Sequence, residues 1–219
     1  MNKQELFDEL AQYRVIPVIA IDDVQAAVPM ADALIEGGLP VAEITFRTAA
    51  AGEVMATLKR ERPNLILGAG TILSIENLRL ANQCGAQFGV APGFNPKIVE
   101  EAGQLNMPFI PGVATPSDIE TAMGFGLKVL KFFPAGALGG DKMVKALSGP
   151  YAHMGVQFVP TGGVNLQNLE SYLSLPTVAM VGGTWIAKKD AIAGGKWDQI
   201  RENCRQVCSL VAQIRKCDS

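Results

Sequence analysis

Hydrophobic and polar positions follow a repeating order along this chain, in which a short apolar run is followed by a stretch with helical periodicity. The apolar runs place large apolar residues at consecutive positions, as strands of a parallel sheet do when helices cover both faces. Strands are predicted over 15–21, 41–46, 65–70, 87–91, 109–113, 127–133, 157–161 and 178–181. This order of elements is typical of an α/β protein.

The stretches between these strands carry the start and stop signals of helices. Gly37 and Gly38 close the first of them, and Ser74 is an N-cap residue. Pro96 and Pro116 stand at first helical positions, where proline is well tolerated. Helices are predicted over 1–13, 24–36, 49–60, 141–147, 166–173 and 197–214, and from residues 74, 96 and 116 onwards.

Eight strand–helix units with short connections predict a (β/α)8 TIM barrel rather than an open, doubly wound sheet. The open Rossmann-like sheet is the alternative, but no GxGxxG sequence follows the first strand. No linker or low-complexity segment divides the chain. We therefore expect a single domain over residues 1–219, with an extra N-terminal helix at 1–13 and the barrel at 15–215.

The composition limits the partners of the protein. Its 219 residues are 48% hydrophobic and 18% charged, which is enough for one substantial core. A net charge of -2 without a basic block gives no reason to expect nucleic acid as a partner. No apolar run approaches the roughly 20 residues that cross a bilayer, and the N-terminus lacks the apolar segment of a signal peptide. We expect a cytoplasmic protein with no nucleic-acid or membrane partner.

Cysteine and histidine are too sparse to favour a metal site. The four cysteines, Cys84, Cys204, Cys208 and Cys217, show no CxxC spacing, and His153 is the only histidine. Cys204 and Cys208 stand four apart on a predicted helix and could supply two ligands, but buried or half-buried free thiols are the simpler interpretation. We expect no metal, and no function for the three C-terminal cysteines beyond helix packing.

The predicted strand 127–133 carries a lysine among large apolar residues. Since side chains alternate across a strand, Val129, Lys131 and Phe133 share one face, while Leu130 and Phe132 share the other. An ammonium group in such surroundings is costly to desolvate unless it is paired. For this lysine taken alone, a side chain that extends from the strand end to water is the simplest interpretation.

The predicted strand 41–46 supplies polar residues that point the same way. Glu43, Thr45 and Arg47 alternate with apolar residues that must meet the helices, so the polar set points into the barrel, whose active site lies at the carboxyl ends of the strands. A structural ion pair of Glu43 with Lys131 or Arg47 is one interpretation. The other is chemical: a buried lysine near a cationic arginine favours the neutral amine that attacks carbonyls, and Glu43 is placed to act as general acid/base.

Glycine pairs follow the last two predicted strands, where barrel enzymes often bind phosphate. Gly162 and Gly163 precede a predicted helix, and Gly182 and Gly183 precede Thr184, whose hydroxyl is an additional donor. Glycine leaves backbone N–H groups open to an anion, although tight turns also use glycine for steric reasons. Because two pairs occur at adjacent positions of the barrel, we predict a phosphate site there.

The sequence resembles the 2-keto-3-deoxy-6-phosphogluconate aldolases, a family that includes enzymes acting on 4-hydroxy-2-oxoglutarate. The resemblance lies in EITFRT from residue 43, GAGT from 68, APG from 91, PFIPG from 108, KFFPA from 131, PTGG from 160 and GGTW from 182. It implies a class I aldolase of the Entner–Doudoroff pathway that needs no metal or other cofactor and forms a homotrimer. The implied reaction cleaves a keto-acid phosphate into pyruvate and glyceraldehyde 3-phosphate.

The resemblance also implies roles for single residues. Lys131 matches the Schiff-base lysine, and Glu43 matches the general acid/base. The residues that match those around the pyruvate carboxylate are Arg47, Thr71, Pro92 and Phe133. The residues that match the phosphate cradle are Gly162, Gly163, Gly182, Gly183 and Thr184.

This chain departs from the family at two positions and leaves other functions open. Gly136 follows the KFFPA motif where many members have an acidic residue, which bears on specificity for the sugar chain, and Thr184 stands where serine is common. Lyases for unphosphorylated 4-hydroxy-2-oxoglutarate or for the galactonate epimer are alternatives. A phosphosugar isomerase with Glu43 as its base, or a non-catalytic phosphate-binding barrel, would belong to a different class.

Overall fold

The computed structural model describes residues 3–217, in which parallel strands alternate with helices. The strands are β1 (Val15–Ile19), β2 (Val41–Thr45), β3 (Ile66–Gly70), β4 (Phe88–Val90), β5 (Phe109–Ile110), β6 (Gly112–Val113), β7 (Val129–Phe132), β8 (Gln157–Pro160) and β9 (Val181–Gly183). Every predicted strand has a counterpart among them. The predicted strand 109–113 is divided into β5 and β6, which lie on either side of Pro111.

Most of the helices lie between these strands, and three of them begin at the expected signals, Ser74, Pro96 and Pro116. The helices are α1 (Lys3–Tyr13), α2 (Ala27–Glu36), α3 (Ala51–Glu61), α4 (Ile75–Gln83), α5 (Pro96–Gln104), α6 (Pro116–Gly124), α7 (Gly140–Tyr151), α8 (Leu169–Leu173), α9 (Lys189–Ala193) and α10 (Trp197–Cys217). Ser74 accepts a hydrogen bond from the Asn77 amide at 3.1 Å, as its N-cap position requires. None of the helices between residues 3 and 217 is long and apolar enough to cross a bilayer.

The hydrogen-bonded strands form a curled, parallel arrangement of two sheets. One sheet has the order β5-β4-β3-β2-β1-β9, and the other has the order β6-β7-β8. Between the two sheets, β8 and the segment around β9 make only two isolated parallel bridges, Phe158 with Val178 and Thr161 with Gly182. Within residues 3–217, the predicted uninterrupted ladder of eight strands is therefore not formed. Pro111 contributes to the break at the other edge because proline has no N–H to donate to a ladder.

Two predicted elements are displaced in the structure, and one short helix was not predicted. The predicted helix 166–173 begins only at Leu169, because the Asn165 side chain accepts hydrogen bonds from the amides of Gln167 and Asn168 and holds a turn there. The predicted strand 178–181 is displaced to β9, where two glycines pair with β1 although they read as a turn in the sequence. The helix α9 was not predicted, because its 5 residues are too few to show helical periodicity.

Two apolar clusters show which way each strand residue points. Residues such as Ala42 and Leu130 pack with the helices in the outer cluster. An inner cluster contains Val41 and Val159 together with Leu6 of α1. Because α1 packs against the first residues of the strands, it covers the amino ends of the sheet and leaves the carboxyl ends to the loops. The N-terminal helix is confirmed from Lys3 to Tyr13, while residues 1–2 of the prediction lie outside the described residues.

Candidate active site

A buried lysine and a buried glutamate lie opposite one another inside the curled sheet. Lys131 is on β7 and Glu43 is on β2, and the Lys131 Nζ lies 3.5 Å from the Glu43 Oε1. The side chains are only 7% and 3% exposed, respectively. The predicted alternation is confirmed, since the neighbours Leu130 and Phe132 pack in the outer cluster with the helices. The lysine therefore does not extend to water but forms an ion pair across the interior.

The carboxylate of Glu43 fits closely against Gly70, and one of its oxygens lacks a hydrogen bond. Its Oε1 is buried and has no hydrogen-bond partner among the described residues, which leaves Lys131 as the charged group that faces it. A Cβ atom built on Gly70 would lie 2.8 Å from both Cγ and Cδ of Glu43. The absence of a side chain at Gly70 therefore makes the space that the carboxylate occupies. A buried acceptor without a donor is uncommon and marks a group that is available to a ligand or a proton.

Phe133 connects the lysine to the first glycine loop. The Lys131 Nζ lies 5.6 Å from the centroid of the half-buried Phe133 ring, which is within the range of a cation–π contact. A Cβ atom on Gly162 would meet the same ring at 3.2 Å. The ring thus occupies the space between the amine and the loop that follows β8.

Arg47 is exposed and lies two residues beyond the end of β2, the strand that carries Glu43. Its Nε donates a hydrogen bond of 3.2 Å to the Thr45 Oγ1, and the buried Thr45 donates one of 2.8 Å to the Ile19 carbonyl. The guanidinium group is therefore attached to the strand through Thr45. Its exposure leaves it open to an anionic group that arrives from solvent.

Thr71 and Pro92 lie at the ends of the neighbouring strands β3 and β4. Thr71 is half-buried and has a φ of 58°, a left-handed conformation that a β-branched residue rarely adopts. Such conformations cost about 1–3 kcal/mol and occur preferentially at functional sites. Pro92 is half-buried, and its carbonyl group lies so close to Gly112 that no side chain fits at Gly112. Thr71 follows directly on β3, which borders β2, and Pro92 lies two residues beyond β4, which borders β3.

The loop after β8 adopts a conformation that only glycine takes readily. Gly162 and Gly163 have φ values of 87° and 84°. The loop after β7 packs on them, because the Gly136 amide donates a hydrogen bond of 2.8 Å to the Gly162 carbonyl. A Cβ atom on Gly136 would lie 3.2 Å from the Gly163 Cα, so the two loops approach backbone to backbone. The helix α8 starts only at Leu169, so these glycines do not lie directly at a helix N-terminus as predicted.

The glycine pair of β9 lies against side chains rather than in open space. A Cβ atom on Gly182 would come within 2.8 Å of the Thr161 Cγ2, and one on Gly183 would lie 2.6 Å from the Trp185 ring. Thr184, the next residue, is exposed. The pair therefore lets β9 approach the end of β8, and Thr184 is the first exposed residue after it.

Thr161 is a residue for which the sequence analysis predicts no role. It is only 4% exposed, and its hydroxyl donates a long hydrogen bond of 3.3 Å to the Val159 carbonyl. Val159 pairs with Lys131 in the ladder of β7 and β8 and belongs to the inner cluster. The alternation of strand residues was the signal that could have placed Thr161 on the same side as Lys131.

Two cavities lie at the opposite ends of the strands. Cavities of about 490 and 340 Å³ lie beside α1 and are lined by residues such as Leu6, Phe7 and Met107. Lys3 and Lys128 are the charged residues of their lining, which contains no carboxylate. The paired acid and amine at the carboxyl ends of the strands therefore identify the candidate active site better than cavity volume does.

The cysteines do not gather into a candidate metal centre. Among the described residues, no three histidine, cysteine, aspartate or glutamate side chains are placed to hold one ion. Cys84 and Cys208 are half-buried free thiols, and burial raises the pKa of the fully buried Cys204 to about 12. The side chain of Cys217 lies outside the described part of the chain. Helix packing accounts for Cys204, which lies in the outer apolar cluster.

Known proteins resemble this chain over nearly its whole length. The KDPG and KHG aldolase family matches residues 7–203. A 2-dehydro-3-deoxy-phosphogluconate aldolase of Haemophilus influenzae is 44% identical over 208 residues, which are 95% of this chain and 97% of the relative. The KHG/KDPG aldolase of Escherichia coli K12 is 40% identical over 192 residues, which are 88% of this chain and 89% of that relative.

A solved structure supports the same assignment. The crystal structure of KDPG aldolase from Legionella pneumophila, with pyruvate captured at low pH as a covalent carbinolamine intermediate, is 39% identical to this chain. The two folds superpose with a TM-score of 0.89 over 94% of this chain and 98% of the other. The family match, the high identity and the superposition agree. The chain therefore belongs to the KDPG and KHG aldolase family.

Proposed function

We propose that this protein is a class I aldolase, a carbon–carbon lyase that cleaves 2-keto-3-deoxy-6-phosphogluconate into pyruvate and glyceraldehyde 3-phosphate. The observation that carries the proposal is the buried contact of 3.5 Å between Lys131 and Glu43. A primary amine and a carboxylate at this separation are the nucleophile and the proton carrier that imine chemistry needs. The covalent pyruvate intermediate of the Legionella pneumophila relative supports the same class of mechanism.

In the proposed reaction, formation of the imine begins with the ion pair. Lys131 gives a proton to Glu43 and attacks the C2 carbonyl carbon as a neutral amine. A proton then moves from the nitrogen to the oxygen, which completes the carbinolamine. Glu43 returns its proton to the hydroxyl group, water leaves, and the nitrogen lone pair forms the cationic C=N bond. The carboxylate of Glu43 is thereby restored.

The C3–C4 bond then breaks because the cationic imine accepts its electrons. Glu43 takes the proton of the C4 hydroxyl, the aldehyde leaves, and the electrons of the broken bond form an enamine. Glu43 then protonates C3, which gives the imine of pyruvate. Water hydrolyses this imine, releases pyruvate and regenerates the lysine. One carboxylate thus serves as both base and acid, which is consistent with the lack of a hydrogen-bond donor to its Oε1 among the residues that the structure describes.

The other residues of the site bind and orient the substrate. Arg47 and Thr71 hold the carboxylate of the keto acid, and a planar guanidinium group suits a carboxylate better than lysine does. Pro92 and Phe133 form the apolar walls of the pocket. The phosphate is held by Gly162, Gly163, Gly182, Gly183 and Thr184. Because the phosphate is far from the bond that breaks, its binding energy orients the reacting atoms.

The proposal extends to the architecture and to the setting of the reaction. We propose that the two sheets belong to one closed (β/α)8 barrel in a single domain, which the two bridges between β8 and the segment around β9 support. A homotrimer, a cytoplasmic location and a place in the Entner–Doudoroff pathway rest on the resemblance to the family. Size-exclusion chromatography with light scattering tests the trimer.

Reduction with borohydride in the presence of pyruvate tests the proposed mechanism. The protein should gain one pyruvate-derived mass, and peptide mass spectrometry should place it on Lys131. Lys131→Ala should lose the adduct and the turnover together. Lys128→Ala is the matched control, because Lys128 is exposed on the opposite face of the same strand segment and should keep both. An active Lys131→Ala protein, or a folded wild type that forms no adduct, would refute the class I mechanism and favour an isomerase or a binding protein.

A second candidate substrate is unphosphorylated 4-hydroxy-2-oxoglutarate. The name of the Escherichia coli relative, KHG/KDPG aldolase, favours it. The lysine chemistry would be the same, but the phosphate loops would contribute nothing to binding. Comparison of kcat/KM for the phosphorylated and unphosphorylated substrates, and for the galactonate epimer, decides among them. A preference for the phosphorylated gluconate compound is the expected result.

A further inference from the structure

Thr45 is the last residue of β2 and lies between Glu43 and Arg47 in the sequence. Its single hydroxyl group makes two hydrogen bonds. Thr45 is 1% exposed, so water does not compete for these bonds. Its Oγ1 lies 2.8 Å from the Ile19 carbonyl oxygen and 3.2 Å from the Arg47 Nε. A carbonyl oxygen can only accept and a guanidinium nitrogen can only donate. The single hydroxyl proton of Thr45 therefore goes to Ile19, and its lone pair accepts the Arg47 Nε–H.

This fixed direction determines which face of the arginine remains for a ligand. A guanidinium group can grip a carboxylate through Nε and one terminal nitrogen, or through both terminal nitrogens. The Nε–H of Arg47 is already donated to Thr45. Among the described residues, its terminal nitrogens have no recorded protein acceptor. Only the pair of terminal nitrogens is therefore left for a bidentate contact.

We propose that Thr45 is a positioning residue that fixes Arg47 so that its two terminal nitrogens face the substrate carboxylate. The inference rests on the proposed function, because it requires that Arg47 bind the carboxylate of the keto acid. The side chain of Arg47 is exposed and would otherwise sample many rotamers, so an anchor at Nε orders it before the substrate arrives. The same hydroxyl ties the guanidinium to β1 through the Ile19 carbonyl.

Thr48 provides a matched control for the structural part of this role. Its hydroxyl also donates to a carbonyl after β1, that of Ile21, at 2.7 Å. In the described structure this hydroxyl makes no hydrogen bond to the Arg47 side chain. Thr48→Val therefore removes a comparable hydrogen bond between the same two segments, and it leaves the anchor of Arg47 intact.

The experiment measures the pyruvate concentration that gives half-maximal borohydride trapping in folded variants. Thr45→Val should raise this concentration roughly tenfold, the effect expected for a hydrogen bond to a charged group. The maximal amount of trapped adduct should stay the same, since Lys131 and Glu43 are unchanged. Thr45→Ser, which keeps a hydroxyl, should recover most of the affinity, and Thr48→Val should remain within about twofold of the wild type.

A double variant decides whether Thr45 acts through Arg47. In an Arg47→Met background, the further change Thr45→Val should leave the half-maximal concentration unchanged, because the group that Thr45 positions is gone. Equal effects of Thr45→Val and Thr48→Val, or the same tenfold effect in the Arg47→Met background, would overturn the inference and leave the proposed function standing. A wild type that forms no adduct at any pyruvate concentration would overturn both.

Discussion

Gly70→Ala should displace the side chain of Glu43, the proposed general acid/base, without substituting that residue. Gly70 is the last residue of β3 and pairs with Thr45 of β2. Its φ lies outside the left-handed region, so alanine can adopt the same backbone conformation. The added methyl group would, however, lie 2.8 Å from Cγ and Cδ of Glu43 and closer still to Oε1. The three nearest atoms to the added methyl group all belong to Glu43, so the perturbation is steric and acts first on that side chain.

The size of the effect follows from these distances. Ordinary contact with a Cβ atom begins at 3.4 Å, so the carboxylate of Glu43 has to withdraw by roughly 1 Å. A misplacement of about 1 Å can lower a rate on the order of 100-fold, because proton transfer requires hydrogen-bonding distance. We expect kcat to fall by about this factor. Overpacking in the interior should also lower the free energy of unfolding by about 1–3 kcal/mol, which leaves room for a folded variant.

Steady-state cleavage of the phosphorylated keto acid, followed through release of the aldehyde, measures the loss. Gly103→Ala is the control, because Gly103 lies in α5 and a Cβ atom there would have no neighbour within 4 Å. It should keep the kcat of the wild type. Glu43→Gln should lose several orders of magnitude, and adding Gly70→Ala to it should cause no further loss. The reasoning is refuted if folded Gly70→Ala turns over within about threefold of the wild type, or if the two changes multiply.

Two further predictions concern stability and reactivity. Lys131→Met leaves the buried Glu43 carboxylate without its cation and should lower the free energy of unfolding, measured in urea, by about 3–5 kcal/mol. Lys131→Met combined with Glu43→Gln should recover most of that loss. A double variant that recovers none of the lost stability would contradict the pairing. Cys204 is buried and its pKa is raised to about 12, so little reactive thiolate exists at pH 8. Peptide mapping after iodoacetamide treatment should find it protected in the folded protein and modified in urea, and modification as fast as in the unfolded chain would contradict its burial.

The central pair could be predicted from the sequence because strand alternation is a local and strict rule. Once residues 127–133 and 41–46 were assigned to strands, Lys131 and Glu43 had to point away from the helices, and the structure confirms this. The glycine pair after β8 was likewise visible as a turn, and its left-handed conformation explains why glycine stands there.

Other parts of the site depend on contacts between distant segments and left little trace in the sequence. Threonine at position 71 has no propensity for a positive φ, so its conformation is imposed by the surrounding strands. The fit of Gly70 beneath Glu43 and of Gly182 beside Thr161 is a matter of packing across the sheet. The ladder is divided at Pro111 because proline cannot donate a backbone N–H, and the sequence does not show which side of this strand pairs with a neighbour.

The buried pair is better explained by chemistry than by stability. Moving a charged group out of water costs several kcal/mol. A buried ion pair offsets that cost only when the remaining polar atoms of both groups are also hydrogen-bonded. Glu43 does not meet that condition, since its Oε1 has no hydrogen-bond partner among the described residues and its cation lies at 3.5 Å. Gly70 moreover has no side chain that would enter the space of the carboxylate. A fold selected for stability alone would place apolar side chains at positions 43 and 131. A carboxylate that must give and take protons instead needs one oxygen that accepts no hydrogen bond from the protein.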